Sequence, residues 1–302
     1  MFRRLSVYLK EMFPLHQRTI QGIGLFFAVY LMVMFVNDVK QITIGGSEVV
    51  GAVTVFGFLL ALRIVDEFKD TNTDKSLFAE RPLPSGKVTQ GDLVWLLVSN
   101  VAVISLLNVI FMNNLGFFLL LVGYAMLMSF WFGIRKILQK NLLLTLATHN
   151  PVQLLLMFYI ISLASYKYQL PLFSVDHWVI GGAFYLSALI WELSRKIRVP
   201  KKEDDYVTYS QIFGFSRAIW AVVSICGLQL VLFGWLLLAE AWLAVAMIAV
   251  FYGLLITGSQ RFIDAKPQTS TYGELAMKYV AGSTAVVLLA GVFLSQARIG
   301  WQ

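Results

Sequence analysis

The chain has 302 residues, of which 58% are hydrophobic and only 14% charged, and its mean hydropathy is +0.73. A soluble domain carries about a quarter of its residues charged, so length and composition exclude a pair of ordinary soluble domains. The net charge of +7 does not signal nucleic-acid binding, because the basic residues are divided among loops between apolar runs, where attraction to anionic lipid headgroups accounts for them.

Met1 to Gln17 are basic and amphipathic, with Phe2, Leu5, Leu9, Met12 and Phe13 as the apolar set. This predicts an interfacial helix and no cleavable signal peptide. Apolar runs follow at about 19–37, 44–66, 91–112, 115–134, 142–165, 177–195, 215–238, 240–261 and 276–297. Each approaches the ~20 residues that cross a hydrocarbon layer, which predicts nine transmembrane helices. With nine spans, 21 of the 24 lysines and arginines fall on one side, and only Lys40, Lys167 and Arg298 on the other. The rich side is cytoplasmic by the positive-inside rule. This places the N-terminus inside and the C-terminus outside a cell membrane, such as a bacterial inner membrane. The lone cysteine, Cys226, lies within a span and excludes both an intramolecular disulfide and a cysteine metal cluster.

Two loops on the basic side hold nearly all the chemistry. Loop A begins where the second apolar run ends, with Asp66, Glu67, Asp70 and Asp74, and continues to Arg81-Pro82-Leu83-Pro84-Ser85-Gly86. The spacing predicts that Asp66, Asp70 and Asp74 stack on one helical face. Such stacking repels unless a cation intervenes. Mg²⁺ is held by a few carboxylates together with substrate phosphates, so an acidic helix end at a membrane surface suggests a metal–diphosphate site. The bland alternative is a solvated loop with local ion pairs to Lys69 and Lys75. Loop B, about 192–214, again starts with acid: Glu192, then Arg195, Lys196 and Arg198, then Glu203, Asp204 and Asp205. Asp66 and Glu192 are 126 residues apart, which hints at one domain over 1–302 built from two pseudo-repeat halves, about 19–140 and 141–297. Opposed acids from the two loops would suit two metals bridging a diphosphate. Glu192 and Lys196, at i,i+4, equally read as a surface ion pair. Arg135 and Lys136, after the fourth span, read as topology anchors or as an anion-binding element. In the fifth run, Pro151 predicts a kink beside His149 and Gln153, whose depth favours interhelical hydrogen bonding. His177, at an outer surface, reads as unremarkable.

Asp66-Glu67-x-x-Asp70-x-x-x-Asp74 followed by Arg81-Pro82-Leu83 resembles the first signature of the UbiA superfamily of intramembrane prenyltransferases, Asn-Asp-x-x-Asp-x-x-x-Asp then Arg-Pro-Leu. The resemblance implies an all-α integral membrane protein, a bundle of about nine helices around a central cavity with its site at the cytoplasmic mouth. It further implies Mg²⁺-dependent transfer of a prenyl group from a prenyl diphosphate to an aromatic or lipid-like hydrophobic acceptor. On that pattern Glu67, Asp70 and Asp74 hold Mg²⁺, and Asp66 stands where the family has Asn. Arg81, Arg135 and Lys136 bind diphosphate. The family's second signature, Asp-x-x-x-Asp, is here Glu192-x-x-x-Lys196. One acid is kept, with Glu192 among the expected catalytic and metal ligands, and the other has become a base. Either Lys196, with Arg195, then contacts diphosphate, or Glu203, Asp204 or Asp205 supplies the lost metal ligand from further along the loop. Two other classes share these features: a terpene cyclase on the same scaffold, which needs no acceptor, and a permease, whose ionisable residues belong near the midplane.

Overall fold

Each of the nine apolar runs is helical, the fifth as two successive helices, in the structure, a computed structural model that describes residues 1–203, 206–267, 271–295 and 299–301. Among the described residues seven helices are long and apolar enough to cross a membrane. Of the other two runs, one forms a helix of only 15 residues, Leu115–Ser129. The other forms Val175–Ser194, whose hydropathy is lowered by Asp176, His177 and Glu192. The chain divides into two compact units.

The first unit comprises Met1–Phe27 and Gln41–Gly133 with the C-terminal strand. It opens with α1 (Phe2–Met12), the expected interfacial helix. The start of α2 (Leu15–Val36) follows, then β1 (Ile42–Ile44) and α3 (Gly46–Lys69). The Glu48 carboxylate accepts the Gly45 N–H at 2.8 Å and so starts α3. The short helix α4 (Thr71–Leu77) leads through the proline turn to α5 (Gln90–Phe111), and α6 (Leu115–Ser129) completes the helices. Thr89 and Asp92 form a reciprocal cap at the head of α5, Asp92 N–H to Thr89 Oγ1 at 3.2 Å and Thr89 N–H to Asp92 Oδ2 at 3.0 Å. The same Asp92 receives Arg4 of α1 at 2.6 and 2.9 Å. Leu5 and Tyr8 of α1 pack with Leu60 and Ile64 of α3 and Leu93 of α5. Inside the membrane α3 and α5 approach closely at Gly57. Its carbonyl accepts Asn100 Nδ2 at 2.7 Å, and Asn108 Nδ2 donates to Thr54 Oγ1 at 2.7 Å. The C-terminal strand β2 (Ile299–Trp301) pairs in parallel with β1, Ile42 opposite Ile299.

The second unit comprises Ala28–Lys40 and Ile134–Arg298. Its elements are α7 (Arg135–Leu138), α8 (Leu142–His149), α9 (Pro151–Tyr168), α10 (Val175–Ser194), α11 (Tyr209–Phe213), α12 (Phe215–Leu237), α13 (Trp242–Ala265) and α14 (Tyr272–Ser295). Pro151 does more than kink the fifth span. It starts α9 as the first helical residue, and Asn150 separates it from α8. Helix α10 packs against α9, α12 and α14, and α13 against both α12 and α14. Buried polar groups tie these helices together. Gln229 Nε2 donates to the Ala183 carbonyl and to Ser187 Oγ, both at 2.7 Å, and the Tyr279 hydroxyl donates to the Cys226 carbonyl at 2.8 Å. His177, expected near an outer membrane surface, lies inside the protein. It is fully buried, with Nε2 2.9 Å from Asn37 Nδ2 and Nδ1 3.2 Å from the Leu172 carbonyl. The tail of α2 comes back beside it and shields it.

Candidate functional site

The acidic signature of loop A does not lie on one continuous helical face. Helix α3 ends at Lys69, and Asp70, at φ −99° and ψ 8°, is the junction to α4. The break separates three like charges that a straight helix would stack. It also gives them different surroundings. Asp70 is exposed, Asp66 half-buried, and Glu67 and Asp74 are buried at 1% and 4% exposure. Neither buried acid pairs with Lys69 or Lys75. Glu67 Oε1 takes Arg63 Nη2 at 2.5 Å, one turn back on α3, and Glu67 Oε2 is buried with no hydrogen-bond partner. Asp74 takes Arg81 Nη1 at 2.7 Å, and the Arg81 guanidinium lies 4.0 Å over the Phe78 ring. Lys69 instead sits 4.6 Å over the ring of Trp131.

The Arg81-to-Gly86 hexapeptide earns its shape through backbone bonds. Ser85 N–H reaches the Arg81 carbonyl at 2.9 Å, and Val88 N–H the Pro82 carbonyl at 3.1 Å. Gly86 holds φ +75°, a conformation that favours glycine. The turn returns the chain to α5 and fixes Arg81 beside Asp74.

Loop B carries the second constellation, wholly within the second unit. Glu192 accepts Arg195 at 2.6 Å and Lys196 Nζ at 2.9 Å, so the i,i+4 neighbours are an ion pair. Lys196 lies 6.0 Å and Arg198 5.2 Å from the Tyr206 ring, and Arg195 4.6 Å over Trp191. Glu203 is held by two hydroxyl groups. It accepts the Thr208 hydroxyl at 2.9 Å and the Ser210 hydroxyl at 2.5 Å, and so folds the loop onto α11. Asp204 and Asp205 lie outside the described residues. Arg135 and Lys136 are exposed on α7. His149 ends α8 with Nδ1 3.1 Å from the Thr145 carbonyl, a local bond within its own helix.

Three participants escaped the sequence pattern. Arg63 sits within an apolar run, where it reads as a flanking charge. Tyr8 of α1 is fully buried, its hydroxyl unpartnered, and burial, then the nearby Glu67 charge, push its phenol well above the ordinary range. Tyr209 of α11 repeats this in the second unit. It is 2% exposed with an unpartnered hydroxyl, raised by burial and then by Glu192. Each signature glutamate thus has a base one turn away and a buried tyrosine within electrostatic range. An acid in an apolar run four residues from an arginine, with an amphipathic segment elsewhere carrying one tyrosine, is too weak a signal to find alone.

Among the described residues no three Asp, Glu, His or Cys side chains converge to hold a metal ion. The donor chemistry nonetheless fits Mg²⁺, which takes one or two carboxylates and completes its shell with phosphate and water oxygens. The buried, unpartnered Oε2 of Glu67, one turn from the exposed Asp70, is suited to such a partial shell.

These features define an all-α integral membrane protein with ion-paired acids at helix ends. Its architecture is shared with solved structures. The chain aligns with the apo structure of a UbiA homolog from Aeropyrum pernix K1 at TM-score 0.67 and 15% identity, over 91% of this chain and 98% of that one. It aligns with a structure described for digeranylgeranylglyceryl phosphate synthase in membranes at TM-score 0.59 and 14% identity, over 96% and 98%. No family model and no curated protein matches the sequence. The chain therefore has the UbiA-like fold.

Proposed function

We infer that the protein is an intramembrane prenyltransferase, moving a prenyl group from a prenyl diphosphate to a hydrophobic acceptor with Mg²⁺. The observation that supports this most is the loop A signature on a UbiA-like fold, with Glu67 and Asp74 buried against Arg63 and Arg81 and Asp70 left exposed between them. On this reading Glu67, Asp70 and Asp74 hold Mg²⁺, which supplies positive charge to the departing diphosphate. Glu192 orients Arg195 and Lys196, which bind the diphosphate as fixed cations. Arg81 holds Asp74 in place through their ion pair. Arg135 and Lys136, exposed on their short helix, add positive charge that attracts the anionic donor.

The allylic C–O bond of the donor breaks and its electron pair leaves with diphosphate. The acceptor supplies the pair for the new bond to carbon and then loses a proton. The apolar surroundings keep water from the allylic cation. The test is direct. Purified full-length protein is incubated with Mg²⁺, prenyl diphosphates of several chain lengths and a membrane extract as acceptor source. Diphosphate release with a prenylated lipid product supports the reading. A cyclic hydrocarbon product in the absence of extract, or no release with any donor, overturns it.

A further inference from the structure

Two arginines of the first unit, Arg18 and Arg63, lie near the start of the acidic signature. Arg18, at the start of α2, lies beside Phe13, which packs in the same cluster as Leu60 and Ile64 of α3, and its charge is within electrostatic reach of Arg63. Its guanidinium donates to Gln21 Oε1 at 2.7 Å and lies 5.7 Å from the Phe13 ring. Neither of these groups is anionic. Arg63 is ion-paired with Glu67, and among the described residues Arg18 has no ion pair of its own. The Arg63 side chain keeps 26% of its surface exposed, whereas Glu67 keeps 1%. An arriving anion therefore reaches the arginines and not the acid.

On its other side Glu67 faces α1. Leu60, Ile64 and Glu67 follow one another on a single face of α3, and Leu60 and Ile64 pack against Leu5 and Tyr8. The Tyr8 hydroxyl and Glu67 Oε2 are both buried and both lack a hydrogen-bond partner. A phenol donor and a carboxylate acceptor left in this state are each costly, and each is what the other lacks. Tyr8 packs against the same face of α3, while Arg63 holds the opposite oxygen.

We propose that Arg63 is an exchangeable counter-ion. A phosphate-class anion drawn by Arg18 and Arg63 takes Arg63 from Glu67. The Tyr8 hydroxyl then replaces it as hydrogen-bond donor, and the carboxylate is held for a metal only while the anion is bound. The proposal rests on the prenyl diphosphate reading for its natural anion, and it explains why the acids are ion-paired in the resting protein. Tyr8 is a positioning residue, because it acts through Glu67.

The test uses the full-length protein in phosphatidylcholine nanodiscs and labelled inorganic pyrophosphate, with binding followed by equilibrium dialysis. In EDTA the parent protein retains pyrophosphate, and Arg63→Gln and Arg18→Gln each weaken retention by about tenfold or more. Arg63→Lys keeps the charge and recovers most of it, which separates charge from misfolding. Mn²⁺ tightens retention in the parent by about tenfold, whereas in Tyr8→Phe it tightens little, since a charge-assisted bond to the metal-holding acid is lost. Retention in EDTA that ignores Arg63 and Arg18, or a Tyr8→Phe protein that answers Mn²⁺ as the parent does, overturns the exchange. Loss of pyrophosphate binding on adding phosphatidylglycerol assigns the arginine pair to lipid phosphate and overturns it as well. Arg63-dependent binding in a protein that releases no diphosphate from any prenyl donor leaves the exchange standing and removes the prenyl-transfer reading. Diphosphate release with binding indifferent to Arg63 does the reverse.

Discussion

Lys196 Nζ lies 2.9 Å from Glu192 Oε1, one turn along the end of α10, so the acid of the second signature is already satisfied by the base that stands where a second acid would be. Arg195 reaches the other oxygen at 2.6 Å. Three charges with a net of plus one form a group suited to an anion and poorly suited to a cation. Lys196→Ala is therefore expected to raise the KM for the prenyl donor about tenfold and to leave the Mg²⁺ concentration for half-maximal rate unchanged. Steady-state kinetics at varied donor and varied Mg²⁺ separate the two. A shift in the Mg²⁺ requirement alone would assign Lys196 to the metal's surroundings instead.

Asp70 and Asp74 belong to one signature but differ in burial, and their alanine variants should differ accordingly. Asp70→Ala is expected to lose turnover by about a hundredfold or more while melting like the parent, because the side chain is exposed. Asp74→Ala also loses turnover, but it abandons Arg81 beside a buried site. That costs roughly 1–3 kcal/mol, toward the lower end because Arg81 is 31% exposed. Thermal melts in detergent alongside the diphosphate-release assay check both.

The α3–α5 contact makes a prediction about stability alone. A Cβ on Gly57 would lie 2.7 Å from Ile104 Cγ2 and 2.9 Å from Asn100 Oδ1. Gly57→Ala is expected to destabilise by about 1–3 kcal/mol through overpacking. Asn108→Ala, which removes a buried bond to Thr54, should cost about 0.6 and at most ~1.7 kcal/mol. Unfolding in mixed micelles measures both, and a larger effect for Asn108→Ala would reverse this ranking.

Tyr8 and Tyr209 give the protein an alkaline limit. Burial holds both phenols above their unfolded value of about 10, so the folded state keeps protons that the unfolded chain releases. The sign follows from linkage. Their contribution is fully present below about pH 10 and is lost as pH rises above it. The melting temperature should fall more steeply above that pH in the parent than in the Tyr8→Phe, Tyr209→Phe double variant. Parallel curves would mean that neither phenol resists ionisation.

Orientation is open to a labelling test. Glu80 and Lys201 are exposed in the two basic loops, and Cys226 is fully buried. Single Glu80→Cys and Lys201→Cys variants are expected to react with a membrane-impermeant maleimide only in inverted vesicles, if the basic loops face the cytoplasm as the positive-inside rule predicts. Labelling of both in intact cells would reverse the assignment.

Much of the molecule was legible because the signals are local. The length of each apolar run determined where helices form, and the abrupt arrival of Asp66 and Glu192 at the ends of runs marked the acids that the structure places near the ends of α3 and α10. Pro151 fixed the break in the fifth span, and Arg81 to Gly86 fixed the turn after α4. Glu192 and Lys196 are neighbours for a reason that 3.6-residue periodicity already contains. What the sequence by itself did not determine is which face of each acid-bearing helix is buried. Glu67 and Asp70 are three residues apart and chemically alike, yet one is buried and the other exposed. That difference arises because α1 packs Tyr8 and Leu5 onto one side of α3 and because the helix breaks at Asp70. Arg4 with Asp92, 88 residues apart, and Asn37 with His177, 140 apart, are likewise decided by tertiary packing. A side chain's partner across such distances is chosen by how whole helices dock, and burial of an acid then makes the choice binding, because an unpaired charge in an apolar interior is too costly to keep.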